Sequence, residues 1–124
     1  CSPDFAQKIR PISGVNDFAD LSLVQDGHAH WQALFEESNI RAASRILKFN
    51  QTALAIDAAA NGQGITLAPR MLIENDLQQG RLAVLWQDIS PDRGGYYAVW
   101  PKGDASNQDR TYVIDWILLQ VRSN

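Results

Sequence analysis

Residues 50–69 constrain the fold more tightly than any other stretch of this chain. Asn50-Gln51-Thr52 leads into an alanine-rich run, QTALAIDAAAN over 51–61, that reads as a helix, with Asn61-Gly62 as a left-handed stop. The next pentapeptide, GITLA over 64–68, reads as a buried strand, and Pro69 suits the first turn of a second helix reaching about Asn75. Gly62-Gln63-Gly64 therefore sits after a helix and before a strand. A dinucleotide-binding fingerprint requires the reverse order, strand then glycines then helix, so the pair reads as a helix stop and a tight turn.

Extending the reading in both directions gives the same alternation. LSLVQ over 21–25 is a short apolar run suited to a buried strand and ends at the turn pair Asp26-Gly27. Trp31, Leu34 and Phe35 fall on one face of a short helix, and SRILKF over 44–49 reads as a strand. After Pro69, Asp76-Leu77 leads into a turn closed by Gly80, followed by strands LAVLW over 82–86 and YYAVW over 96–100, with a loop over 88–95 between them. Ser106-Asn107-Gln108-Asp109 resembles a capping box and opens a final helix lined by Val113, Trp116, Ile117 and Val121. Strands and helices in this order argue an α/β fold with a largely parallel or mixed sheet covered on both faces.

Composition narrows the function classes. The chain has 124 residues, 45% hydrophobic and 20% charged, one domain's worth with a single core. Its net charge of −3 gives no overall cationic excess for DNA, and Arg41, Arg45 and Lys48 read as a solvated face. No apolar run is long enough for a transmembrane helix. The single methionine is Met71, so residue 1 is not read as a translation start, and Cys1, the one cysteine, has no internal disulfide partner. A Cys1-Ser2 start also fits the lipidated residue of a bacterial lipoprotein, although Pro3 and Phe5 leave no flexible tether.

The chemistry-bearing residues point to binding. His28 and His30 lack an evident third metal ligand, so they read as solvated turn histidines, with Asp26 and Glu36 the carboxylates at hand. Asp57 and Asp115 read as the wet sides of their helices. Ser38, Ser44, Ser90 and Ser106 have no nucleophile-elbow context, Cys1 has no histidine partner at a recognisable spacing, and no residue set supports an enzyme or calls for a cofactor. The informative junction is Phe49-Asn50-Gln51-Thr52, where a strand gives way to a helix. Ligands of open α/β sheets gather beyond the carboxyl ends of strands, and a helix N-terminus there suits a carboxylate or other anion. Asn50 and Thr52 are equally ordinary N-cap residues.

An ordered set of segments resembles the effector-binding domain of LysR-type transcriptional regulators over nearly the whole chain. They are Ser2-Pro3 with Phe5; Trp31 and Phe35; Phe49 to Leu54; Ala58-Ala59-Ala60-Asn61-Gly62-Gln63-Gly64-Ile65-Thr66-Leu67-Ala68-Pro69; Asp76-Leu77-Gln78-Gln79-Gly80-Arg81-Leu82; Tyr96 to Pro101; and Trp116-Ile117-Leu118. Within that family the chain resembles the branch with the glycine-cleavage and β-lactamase regulators. The resemblance implies a periplasmic-binding-protein-like (type II) fold of two subdomains joined by two crossover strands. This chain would be its C-terminal part: a second subdomain over about 1–95, with a mixed sheet flanked by helices, then the return crossover and the C-terminal helix of the first subdomain over 96–124. It further implies a cytoplasmic, homo-oligomeric module that senses a small-molecule effector and meets DNA only through an N-terminal domain outside this chain. Asn50, Gln51, Thr52 and Tyr97 (or Tyr96, since only one of the two can point inward) match the family's effector-contacting positions. Without the first subdomain, the apolar side of residues 113–121 would fold back on its own subdomain or exchange with a second chain. The rival reading, from another class, is a fragment of an extracytoplasmic solute-binding lipoprotein.

Overall fold

The computed structural model describes residues 1–9, 11–41, 45–88, 97–101 and 108–122. The chain divides into two compact units, Cys1–Asp88 and Ile89–Asn124.

The first unit is built on three short parallel strands, β1 (Leu23–Gln25), β2 (Ile46–Lys48) and β3 (Ile65–Thr66), in the spatial order β2-β1-β3. Leu23 pairs with Ile46 on one side and Ile65 on the other. Helix α2 (His30–Glu37) connects β1 to β2, and α3 (Thr52–Ala60) carries the chain from β2 past β1 to β3. Strand β1 is buried along its whole length because both faces are covered. On one face Leu23 packs with Trp31, Leu34, Phe35 and Phe18. On the other Val24 packs with Ala55 and Ala58, whose small side chains let α3 lie close to the sheet.

Two glycines set the geometry of the α3–β3 turn. Gly62 has φ +77, the left-handed stop expected from Asn61-Gly62. Gly64 matters for its missing side chain instead, since a Cβ there would lie 2.7 Å from the carbonyl oxygen of Ser22 and 3.1 Å from Val24. Only a residue without a side chain lets β3 approach β1 this closely.

Several expected boundaries move. Helix α4 (Arg70–Gln78) runs three residues beyond Asn75, so Asp76 and Leu77 are helical. Its stop is Gly80, φ +70, and the Arg81 and Leu82 N–H groups donate to the Asp76 carbonyl at 2.9 and 3.2 Å. The strand expected over 82–86 is absent. Beyond the Leu82 bond to Asp76, a reciprocal pair joins this segment to the start of the chain, Ala83 N–H to the Cys1 carbonyl at 2.8 Å and the Cys1 amino group to the Ala83 carbonyl at 3.3 Å, and no ladder forms. A one-turn helix α1 (Pro3–Ala6), not foreseen, starts where the Ser2 hydroxyl accepts the Phe5 N–H and Pro3 occupies the first position.

In the second unit, α5 (Gln108–Arg122) is the expected final helix. Its capping-box residues Ser106 and Asn107 lie outside the described residues, as do Tyr96 and the loop from 89 to 95. Residues 97–101 form no strand, a correction to the reading of YYAVW. An apolar run makes a strand only where a neighbour supplies hydrogen bonds, and none of the described residues does so here. The Arg110 guanidinium lies 4.9 Å from the centre of the Trp100 ring. Val113, Trp116 and Ile117 are all exposed. The side chain of Val121 lies outside the described residues.

Candidate functional site

Each strand of the sheet runs from its carboxyl end directly into a helix, so the starts of α2, α3 and α4 converge on one edge of the sheet. Two strand junctions lie along that edge, one on either side of β1. Between β1 and β3, the Trp31 indole N–H donates to both the Val24 carbonyl at 3.1 Å and the Ile65 carbonyl at 3.0 Å. Trp31 is completely buried and closes that gap.

Between β1 and β2 the edge stays polar. The chain leaves β2 through Phe49, whose N–H donates to the Gln25 carbonyl at 2.9 Å, then turns through the exposed Asn50 and Gln51 into α3. Gln51 is the N-cap, and its side chain makes no capping bond; neither Asn50 nor Thr52 caps the helix. The carbonyl of Gln51 accepts the Ala55 N–H at 3.2 Å, which leaves the Thr52, Ala53 and Leu54 N–H groups uncapped among the described residues. Sequence reasoning leaves capping and ligand contact equally open for Asn50 and Thr52, and the geometry removes capping.

Thr52 instead points its hydroxyl across to β1, where it donates to Asp26 Oδ2. Asp26 directly follows β1 and is almost fully buried. Its side chain emerges on the α3 face because Val24, two residues earlier, does so too. Its other oxygen accepts the His28 N–H at 3.0 Å. Burial alone would raise the Asp26 pKa. The hydrogen bonds from the Thr52 hydroxyl and the His28 N–H, helped by the charges of His28 and His30, outweigh it and hold the carboxyl below its ordinary value. An ionised carboxylate therefore stands beside the uncapped first turn of α3.

Sequence reasoning treats Asp26 as a turn residue and an unassigned carboxylate. The available signal is its parity with Val24 and its place at a strand end. Gln25, buried on the opposite face, donates from Nε2 to Gln32 Oε1 at 3.0 Å, and its own Oε1 has no partner among the described residues. The exposed rings of His28, in the turn after β1, and His30, the first residue of α2, stack 5.6 Å apart, and no group of three potential metal ligands occurs among the described residues. Asp57 is on the wet side of α3, paired with Arg81 at 2.9 Å, and Asp115 is exposed on α5. Tyr97 belongs to the second unit and is 79% exposed.

The profile of the LysR substrate binding domain matches residues 1–120. The chain belongs to this family. The LysR substrate-binding domain adopts a periplasmic-binding-protein-like type II fold, and the small parallel sheet with flanking helices is the part of it described here. Similar proteins are transcriptional regulators. They include the HTH-type regulator y4mQ of Sinorhizobium fredii, 28% identical over 94% of this chain and 40% of its own length. The glycine cleavage system transcriptional activator of Escherichia coli K12 is 25% identical over 95% of this chain and 40% of its own length. Its homologue in Haemophilus influenzae is 27% identical over 90% and 38% respectively. No solved structure matches. This LysR domain thus spans about 40% of the length of the curated relatives it matches. Among its described residues no helix is long and apolar enough to cross a membrane.

Proposed function

We propose that this chain is the small-molecule effector-sensing and oligomerisation module of a DNA-binding transcription regulator. Residues 1–95 form its second subdomain, and residues 96–124 the return crossover and the last helix of the first. The regulator is cytoplasmic and homo-oligomeric, uses no cofactor, catalyses nothing, and meets DNA through an N-terminal domain outside this chain. The observation that carries the reading is the turn from β2 into α3: uncapped N–H groups and a hydroxyl at the carboxyl edge of a parallel sheet, within a LysR substrate-binding domain. Asn50, Gln51 and Thr52 contact the effector from this turn. Tyr97 packs against the effector's body from the crossover. Effector binding shifts the balance between two subdomain arrangements and alters the spacing of the DNA-binding heads. The family match gives no support to a solute-binding lipoprotein.

The test is titration of candidate effectors into the full-length regulator, read by calorimetry and by operator footprinting. Thr52→Ala and Tyr97→Ala are each expected to weaken effector binding about tenfold, the loss of one good contact, without altering effector-free DNA affinity. Unchanged affinity in Thr52→Ala removes the turn from the effector site.

A further inference from the structure

We draw no further inference here: the strongest candidate, the apolar cavity between β3 and residues 82–86 that Phe18 and Trp31 also line, carries nothing, because nothing in the structure shows what occupies it.

Discussion

The two sides of β1 make opposite use of the same architecture. Toward β3, the carboxyl edge is filled by an aromatic side chain whose single N–H satisfies two backbone carbonyls. Toward β2, at the same carboxyl edge, an ionised carboxylate accepts a hydrogen bond from a hydroxyl. The apolar solution shows that this edge can be closed with Trp31 packed against Phe18 and Phe35. The polar solution carries the desolvation cost of a buried charge, and its hydrogen bonds offset that cost without yielding a large surplus. Where one fold contains both, binding is expected on the costlier polar side.

The comparison breaks most severely if the close approach of β3 to β1 is lost. Gly64→Ala places a methyl group 2.7 Å from the Ser22 carbonyl oxygen, a backbone atom that cannot rotate away. The expected cost is about 3 kcal/mol, read as a lower urea midpoint at unchanged slope. A loss near that of an ordinary surface glycine would mean that β3 does not sit where described. Next in size is Trp31→Phe, which keeps an aromatic ring and removes the N–H shared by Val24 and Ile65. Two buried carbonyls lose a donor and some volume empties, for about 2 kcal/mol in the same assay. The junction toward β2 should be unaffected, with the NMR signals of Asp26 and Thr52 in place.

The polar side is probed by Thr52→Val and by acid. Deleting the hydroxyl is expected to cost about 1 kcal/mol at pH 7. The native pKa of Asp26 lies below the unfolded value, so the unfolded chain binds more protons between the two. The stability this carboxylate contributes is full above the ordinary carboxylate range near ~4 and disappears as pH falls through the lower native value. Thr52→Val, lacking one of the bonds that depress that value, should lose less on acidification than the unaltered chain. Parallel acid profiles for the two proteins would detach Thr52 from the ionisation of Asp26.

How much of this is legible in the sequence depends on whether the signal is local. The alanine run, Asn61-Gly62 and Pro69 locate α3, β3 and α4 because capping and left-handed stops are written in adjacent residues. LAVLW and YYAVW are equally apolar runs, yet form no strand among the described residues, because a strand requires a partner that its own sequence does not contain. The site divides in the same way. The Asn50–Thr52 turn is visible as a strand-to-helix junction, whereas Asp26 is 26 positions away and joins Thr52 only through the pairing of β1 with β2. Its role as the partner of Thr52 is not written in the residues flanking it.

The smallest expected effect sharpens the contrast between buried and exposed polarity. Arg81 bridges α3 and α4, with Asp57 and Asp76 each 2.9 Å from its guanidinium. Arg81 thus makes two contacts, as many as Asp26 does with Thr52 and His28. Arg81 and Asp57 are, however, both about half exposed, so water and salt compete for each charge. Arg81→Ala is expected to cost less than about 1 kcal/mol, and most of that should vanish in about 0.5 M NaCl. The cost of Thr52→Val should persist at the same salt concentration, because its carboxylate partner is shielded by protein and not by ions. If the salt dependence were the same for both, Asp26 would be in contact with bulk solvent, and the difference between the two sides of β1 would reduce to surface chemistry.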